Sequence, residues 1–283
     1  MLKNNRSILL DELILVKLGG SVITNKNVPF SEDLSTIKRL AKEIHEARQE
    51  KKFRLIVGHG GGSYPHTPAS EFKTNDGIIN HRSYEGIAKV QDAASRLNRI
   101  IVRELLNTGE NAMSIQLSSC SISENGEIGK MFLEPVKRLL DFDMVPVPYG
   151  DVGLDKKKGC YIISTERIFD YLTRNLSRID EKYKISRIIM CARVRGVFTD
   201  NPDVNSYAEL IKEITPKNIK ELESSLKGSF GIDVTGGMLH KVKMLLELAK
   251  LGIESEVINA KEPDLLKKAL LGGRGLGTII KKD

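Results

Sequence analysis

Short apolar runs alternate with longer amphipathic stretches along most of this chain. Runs typical of buried strands are Leu13–Leu18, Phe53–Val57, Ala112–Gln116, Met144–Pro148, Arg187–Cys191 and Glu254–Ile258. Apolar residues at helical spacing predict the helices Leu34–Gln49, Ser83–Asn107, Leu133–Asp141, Glu166–Leu176 and Met238–Leu251. Strands that alternate with helices indicate βαβ units, because parallel strands need a crossover connection. We therefore expect the α/β class, as a three-layer α/β/α sandwich with a mainly parallel central sheet.

The length of the chain bounds its organisation. Its 283 residues suit one large α/β domain or two closely joined lobes, and they suffice to bury a substantial core. No internal repeat or low-complexity segment is evident. We expect a single domain over residues 1–283 that divides loosely near residue 160, with one continuous sheet across both halves.

The charge balance bears on the partners of the protein. The net charge is +7 and the isoelectric point is near 9.1, but the basic residues are interleaved with acidic ones along the whole sequence. The chain has no tryptophan and only 5% aromatic residues, so base-stacking platforms are poorly supplied. We therefore expect no nucleic-acid partner. A basic surface suits small phosphate-bearing substrates better.

The cysteines and the lack of long apolar runs bear on the compartment. Cys120, Cys160 and Cys191 are widely separated, odd in number and form no C-x-x-C pair. This pattern argues against a disulfide framework and against a zinc site, and it fits a reducing cytoplasm. We see no secretory leader and no apolar run of about 18 residues, so we expect no membrane span and a cytoplasmic protein.

A glycine run follows the second predicted strand. Gly60, Gly61 and Gly62 come shortly after Phe53–Val57, and His66 stands four residues further on. Closely spaced backbone N–H groups without side chains form a cradle for an anion, and a histidine adds a titratable donor. The alternative is a tight strand-to-helix turn with an incidental histidine, or with a histidine that caps the next helix.

Two further glycine turns accompany this run. The strand Leu13–Leu18 carries Lys17 near its end and leads into a Gly-Gly pair, and a second Gly-Gly pair precedes Lys241 on a predicted helix. Open α/β sheets bind ligands at the carboxyl ends of their strands. The three turns therefore predict several walls of one polyanion pocket. A charge beside a buried strand needs an anionic partner, which makes Lys17 a functional candidate.

Taken in order, these motifs resemble the amino acid kinase superfamily. They are Lys17-Leu18-Gly19-Gly20-Ser21, His59-Gly60-Gly61-Gly62-Ser63 with His66, Tyr149-Gly150-Asp151, Asp233-Val234-Thr235-Gly236-Gly237-Met238 with Lys241, and Gly277-Thr278-Ile279-Ile280. Within the superfamily, the histidine after the glycine run and the segment Thr24-Asn25-Lys26 are similar to isopentenyl phosphate kinases. Those enzymes transfer the γ-phosphoryl group of ATP to isopentenyl phosphate, giving isopentenyl diphosphate in an isoprenoid pathway used mainly by archaea.

The resemblance implies roles for individual residues. Lys17 and Lys241 would bridge the transferred phosphoryl group and the β-phosphate, and Lys26 would stabilise the transition state. His66 would bind the acceptor phosphate, and Glu166 stands where an aspartate organises the catalytic lysines. Backbone N–H groups would come from Gly19, Gly20, Ser21, Gly61 and Gly62, with Gly237 also on the nucleotide side and Gly150 closing around the acceptor. The acceptor tail would lie along Ile87 and Ala94, although such an apolar stripe is also typical of a helix packed on a core.

The resemblance also implies the ligands and the assembly. ATP would be the phosphoryl donor with Mg²⁺ on its phosphates, and no sequence motif shows a dedicated metal cage. Residues 1–160 would form the acceptor-binding half and residues 161–283 the nucleotide-binding half. Family members commonly form homodimers, so we expect a homodimer.

Three segments depart from the family pattern. Pro65 replaces a usual glycine, so the glycine loop loses an N–H donor and gains a fixed φ. The segment Ser164–Arg167 stands where Ser-Gly-Asp-Asp is typical, and its glutamate reaches one methylene further than aspartate. Arg193 and Arg195 stand where the family has two aspartates, and Asp200 takes the place of a usual lysine. We hypothesise that one of these arginines replaces that lysine at the nucleotide phosphates.

The sequence is also compatible with two other functions. A related kinase for another phosphate or phosphonate, such as a fosfomycin-kinase-like enzyme, also uses a histidine after the glycine run. A non-catalytic, nucleotide-binding regulatory protein on the same fold is favoured by the altered segment around Arg193 and Arg195. The presence of Lys17, His66 and Lys241 together argues against the regulatory protein.

Overall fold

The computed structural model describes residues 12–25, 27–222 and 237–283. Its strands are β1 Leu13–Leu18, β2 Arg54–His59, β3 Ala112–Ile115, β4 Ser121–Glu124, β5 Glu127–Met131, β6 Val145–Pro148, β7 Asp151–Asp155, β8 Gly159–Ile163, β9 Ile185–Ala192, β10 Glu213–Ile214, β11 Glu254–Asn259 and β12 Thr278–Ile280. Its helices are α1 Gly20–Ile23, α2 Leu34–Glu50, α3 Ser63–Glu71, α4 Arg82–Asn107, α5 Leu117–Cys120, α6 Glu134–Asp141, α7 Thr165–Ile179, α8 Gly237–Lys250 and α9 Leu265–Leu270. The predicted α/β class is confirmed.

A six-stranded sheet forms the centre of the fold. Its strand order is β10-β12-β11-β9-β1-β2. β1 pairs in parallel with β2 on one side and with β9 on the other, and β9 pairs in parallel with β11. β12 runs antiparallel to β11. The carboxyl ends of β2, β1, β9 and β11 therefore meet at one edge of the sheet, where open α/β sheets bind their ligands.

Helices cover both faces of this sheet, and β1 shows why its sequence is a continuous apolar run. Leu13 and Leu15 pack in one core with residues of α6, α7 and α8. Ile14 and Val16 pack in the other core with residues of α2, α4 and α9. A strand that is buried on both faces needs apolar side chains at successive positions. In the described part of the chain, no helix combines the length and the apolar character needed to cross a membrane.

The prediction of one continuous sheet is wrong in detail. β3 and β6 form a separate two-stranded sheet, which joins β2 through one parallel bridge between His59 and Tyr149. Four short strands form another small sheet in the order β5-β4-β7-β8. Three of these strands are half-exposed, and β7 is mostly buried but begins and ends with aspartate, so all four carry little of the hydrophobic signal that marks β1 or β9.

Helix α3 is an element that the pattern did not predict. It begins just after the glycine run and contains Pro65 and Pro68. Proline inside a helix removes a backbone hydrogen bond, which hides the helix from a sequence argument. Pro65 is the third residue of α3, where the backbone N–H has no acceptor within the helix, so its ring is tolerated there.

Candidate active site

The cavity at the carboxyl edge of the sheet brings the predicted motifs together. It has a volume of about 180 Å³. Its lining includes the predicted residues Lys17, Gly19, Gly20, Ser21, Gly61, Gly62, His66, Gly150, Glu166 and Lys241. These residues come from β1, α1, α3 and the turns after β1, β2 and β6, and from α7 and α8 further along the chain. Residues from both parts of the sequence therefore line this cavity.

The first two glycine turns lie against each other backbone to backbone. A Cβ atom on Gly20 would stand 2.5 Å from the Gly62 nitrogen, so a side chain at this position has no room. Gly62 has a φ of +55°, which favours glycine. The Thr24 hydroxyl donates to the Gly20 carbonyl at 2.8 Å and accepts from the Ser63 N–H at 3.0 Å. These contacts fix the spacing of the two turns.

The prediction that Gly19 donates its N–H to a phosphate is wrong in this structure. That N–H donates to the Cys191 carbonyl at 3.0 Å, which links β1 to β9. A Cβ atom on Gly19 would lie 2.5 Å from the same carbonyl oxygen, so glycine is needed for close packing. Gly20 and Ser21 instead form the first turn of α1, where backbone N–H groups lack acceptors within the helix.

A buried carboxylate between two lysines is the electrostatic centre of the cavity. Lys17 forms an ion pair and a hydrogen bond with Glu166, and the Glu166 residue is only 6% exposed. Burial alone raises the pKa of this carboxyl, but the nearby cations of Lys17 and Lys241 outweigh burial and lower it to about 2. Glu166 is therefore a permanent anion at neutral pH: it binds Lys17 directly, and the charge of Lys241 lies close enough to stabilise it.

Helix α3 sets the position of His66. The N-cap of this helix is Gly62, and His66 is the fourth helical residue, so it does not cap the helix. Its side chain is half-buried and lines the cavity. Pro65 also lines the cavity, and its ring fills the space where a Cβ on Gly61 would lie. The proline thus packs against the glycine turn that precedes it.

The apolar wall of the cavity differs from the predicted one. Ala69, Val90 and Ile162 line the cavity. Ile87 packs against the same small apolar cluster but does not line the cavity, and Ala94 is buried within the fold. The sequence does not distinguish the positions of an amphipathic stripe from one another. Only the packing of α4 against α3 and β8 determines that Val90 lines the cavity.

A second and larger cavity adjoins the first. Its volume is about 890 Å³, and it shares Ser21, Ala192, Met238 and Lys241 with the first cavity. Arg193 lines it and forms an ion pair with Asp203 across its wall. Of the two arginines, both in the described part of the chain, Arg195 lines neither of these cavities. The structure thus separates two residues that the sequence left equivalent.

Asp151 is a site residue that the sequence argument quoted but did not assign. It follows Gly150, lines the first cavity and is 1% exposed. Its carboxylate accepts hydrogen bonds from the N–H groups of Ser118 and Val152 at 3.1 and 2.8 Å. Burial nevertheless raises the pKa of Asp151 above its usual value. The signal available in the sequence for this site residue was an acidic residue directly after the glycine of a predicted turn.

Not every predicted part of the site lies within the described residues. Lys26 and the segment Asp233–Gly236 lie outside the described residues. Gly237 is the first residue of α8, and its neighbour Met238 lines both cavities. Among the residues that the structure describes, no group of three or more histidine, cysteine or acidic side chains could hold a metal ion.

His59 is a buried histidine with a structural role beneath the cavity. Its Nδ1 contacts the Gly60 carbonyl at 3.1 Å, and its Nε2 contacts the Asn98 amide nitrogen at 3.1 Å. The ring stacks on Tyr149 with centroids 5.5 Å apart. Burial lowers the pKa of His59 to about 4; the hydrogen bond to Gly60 opposes this change and the Lys17 charge adds to it. The ring is therefore neutral at pH 7, with Nε2 accepting from Asn98.

This buried neutral ring predicts a pH dependence of stability. The folded pKa lies below the usual value of 6.5, so the unfolded chain takes up the proton first as the pH falls. The free energy of unfolding should fall by about 2 kcal/mol on this account between pH 6.5 and pH 5. Urea unfolding at the two pH values, compared with the variant His59→Gln, measures the effect, because glutamine does not titrate. Parallel changes in the two proteins would contradict the assignment.

The fold and the site together define a class of protein. An α/β sheet with glycine turns and two lysines on a buried carboxylate at its carboxyl edge is built to hold polyanionic ligands. The chain belongs to the amino acid kinase family, because the model named "Amino acid kinase family" matches residues 12–259.

Within this family, the chain is similar to particular enzymes. The chain is 35% identical over 275 residues to the isopentenyl phosphate kinase of Methanothermobacter thermautotrophicus, covering 95% of this chain and 98% of that one. It is also 35% identical over 269 residues to the isopentenyl phosphate kinase of Methanocaldococcus jannaschii, covering 92% and 95%. An X-ray structure of isopentenyl phosphate kinase superposes with a TM-score of 0.80 at 32% identity, covering 95% of this chain and 100% of that chain.

Proposed function

We propose that this protein transfers the γ-phosphoryl group of ATP to isopentenyl phosphate and releases ADP and isopentenyl diphosphate. The observation that carries the proposal is the make-up of one cavity. Lys17, Glu166 and Lys241 stand at its polar end, and Ala69 and Val90 form part of an apolar wall beside His66. A phosphate monoester with a short hydrocarbon tail matches both ends. The identity with isopentenyl phosphate kinases over nearly the whole chain supports the same substrate.

The two lysines address the main obstacle to this reaction. Two unit charges about 4 Å apart repel by about 4 kcal/mol at a surface-like dielectric, and both substrates are polyanions. An oxygen of the acceptor phosphate attacks the γ-phosphorus while the bond from that phosphorus to the bridging oxygen of ADP breaks. Lys17 is ion-paired with Glu166 and the charge of Lys241 lies near the same carboxylate, so positive charge is in place before the substrates arrive. Preorganised cations of this kind stabilise charge in the transition state.

The two cavities support a division of the ligands between the halves of the chain. The acceptor would occupy the first cavity, with His66 donating to its phosphate and Val90 against its tail. The nucleotide would extend from the shared residues Ser21 and Lys241 toward Arg193 in the second cavity. Mg²⁺ is usually bound through substrate phosphates and few protein ligands, so it would arrive on ATP and neutralise phosphate charge there. We also propose a homodimer in the cytoplasm, in line with the family.

The proposed activity is tested by turnover. The purified protein is incubated with ATP, MgCl₂ and, in separate reactions, isopentenyl phosphate, dimethylallyl phosphate and fosfomycin, and ADP release is measured. Isopentenyl phosphate should be the best acceptor. Preferred turnover of fosfomycin would favour the phosphonate kinase, and binding of ATP without turnover of any acceptor would favour the regulatory protein.

The role of His66 is tested with a matched pair of variants. His66→Ala should lose most acceptor phosphorylation while it still binds ATP, because His66 lines the cavity and, in this proposal, donates to the acceptor phosphate. His81→Ala is the control, since His81 is exposed and lines neither cavity. Equal activity of the two variants would remove His66 from the mechanism.

The two arginines give a prediction for the donor. Arg193→Ala should raise the KM for ATP about tenfold, because a hydrogen bond to a charged group contributes about 1.5–3 kcal/mol. Arg195→Ala should leave that KM close to the original value, since Arg195 lies outside both cavities. Steady-state kinetics at saturating acceptor separate the two variants. An unchanged KM in both would show that neither arginine contacts the nucleotide.

A further inference from the structure

One backbone carbonyl links the two sides of the cavity. The carbonyl oxygen of His59, at the end of β2, accepts a hydrogen bond from the Gly150 N–H at 3.1 Å. The same oxygen accepts from the hydroxyl of Thr165 at 2.5 Å. A carbonyl oxygen has two acceptor lone pairs, and these two donors occupy both. Gly150 lines the cavity between β6 and β7, whereas Thr165 is the first residue of α7 and directly precedes Glu166.

The residue that carries this carbonyl is itself held from several directions. His59 is fully buried, and its ring contacts Asn98 and stacks on Tyr149. Asn98 in turn donates to the Val147 carbonyl at 3.3 Å and accepts from the Ser114 hydroxyl at 2.5 Å. The carbonyl is therefore a fixed point at which β2, α4 and the β3–β6 pair meet. A group that is hydrogen-bonded to it takes up a defined position.

Thr165 transmits that position to α7. It is 1% exposed, and its methyl group packs at Gly58, where a Cβ atom would stand 2.6 Å from it. Its hydroxyl provides the bond to the His59 carbonyl. The neighbouring N-cap contact, from the Arg167 N–H to the Ser164 hydroxyl, is longer at 3.4 Å. The first turn of α7 is thus hydrogen-bonded to the carbonyl at the end of β2 through one threonine hydroxyl.

The geometry points to Thr165 as a positioning residue for the reaction: its hydroxyl, bound to the His59 carbonyl, sets where the Glu166 carboxylate holds Lys17. This inference rests on the proposed function. Thr165 acts through Glu166 and not through contact with the substrates. Displacement of a catalytic group by about 1 Å can cost about a hundredfold in rate. Loss of a single hydroxyl at the start of this helix can therefore lower the rate strongly.

Two conservative variants separate the hydroxyl from the methyl group. Thr165→Val keeps the shape and the contact at Gly58 but cannot donate to the His59 carbonyl. Thr165→Ser keeps the donor but loses the methyl contact. With ATP and isopentenyl phosphate, kcat should fall about tenfold to a hundredfold in the valine variant. The serine variant should keep a kcat close to that of the original protein, with the KM for ATP little changed in both.

Urea unfolding of the same variants tests whether Thr165 has a purely structural role. Loss of the methyl contact should make the serine variant at least as unstable as the valine variant. A structural role would then lower activity in the order of stability, with serine no better than valine. That order, or an unchanged kcat in the valine variant, would overturn the inference.

A measurement without substrates distinguishes this inference from the proposed function. Trinitrobenzenesulfonate reacts with free amines, and an ammonium held in a buried ion pair reacts slowly. Labelling of Lys17, followed by peptide mass spectrometry, should be faster in Thr165→Val than in Thr165→Ser, while the exposed Lys42 is labelled equally in both. If the original protein turns over no isopentenyl phosphate, the proposed function fails, and the labelling still decides the inference: equal labelling of Lys17 in all three proteins contradicts it.

Discussion

Replacing Lys17 with methionine is expected to lower kcat for phosphorylation of isopentenyl phosphate by about 10²–10³-fold, the usual cost of losing one preorganised charge or donor in the transition state. The side chain is nearly buried, and it forms an ion pair with the buried carboxylate of Glu166. The variant keeps the length of the side chain but not its charge. Release of ADP at saturating ATP and acceptor measures kcat, and the ATP dependence gives KM.

The control for this variant is Lys42→Met. Lys42 lies on α2 with 72% of its side chain exposed, and it pairs only loosely with Glu46. Its loss should leave kcat unchanged, because exposed ion pairs contribute little. A rise in the KM for ATP with an unchanged kcat in Lys17→Met would contradict the prediction, since it would mean that Lys17 binds ground state and transition state equally.

Replacing Arg187 with methionine is expected to lower the free energy of unfolding by about 3–5 kcal/mol, because it leaves a buried charge without its partner. Arg187 on β9 is 2% exposed and lies 3.2 Å from the fully buried Glu256 on β11. It also donates to the Ala269 carbonyl at 2.9 Å. The other oxygen of Glu256 accepts from the Leu276 N–H at 2.6 Å, so the pair ties the segment before β12 to the sheet.

Urea unfolding measures the effect of this substitution, with Arg274→Met as the control. Arg274 forms an ion pair with Glu254 in the same region, but half of its side chain is exposed. Its loss should cost less than about 1 kcal/mol. Equal destabilisation by the two variants would show that burial does not set the strength of the Arg187 contact. The double variant Arg187→Met with Glu256→Leu should be more stable than Arg187→Met alone, because no unpaired charge remains.

The sequence predicted those parts of the fold whose signal is local. The bounds of β1 are those of the apolar run Leu13–Leu18, because every position of that strand is buried. The long helix α4 differs from its predicted start by one residue. Helix α3 was missed because Pro65 and Pro68 argue against a helix, although the first of them occupies a tolerated position.

The same distinction between local and distant signals applies to the residues of the site. Glycine and lysine at the ends of apolar strands predicted the residues of the cavity, since the carboxyl ends of parallel strands share one edge. The free N–H of Gly19 and the contact of Ala94 with the cavity were predicted wrongly, because each depends on a neighbour distant in the chain. Gly19 donates to Cys191, and α4 turns Val90 toward the cavity.

By itself, the sequence determined the class of the protein: an α/β sheet, its glycine turns, and a lysine at the end of β1. These features follow from backbone sterics and from burial over a few residues, which a sequence displays directly. Only the tertiary structure decided that Glu166, 149 residues from Lys17, binds it directly, and that the hydroxyl of the adjacent Thr165 donates to the carbonyl of His59. Such contacts depend on the register of strands and on the seating of helices, and no local pattern encodes either.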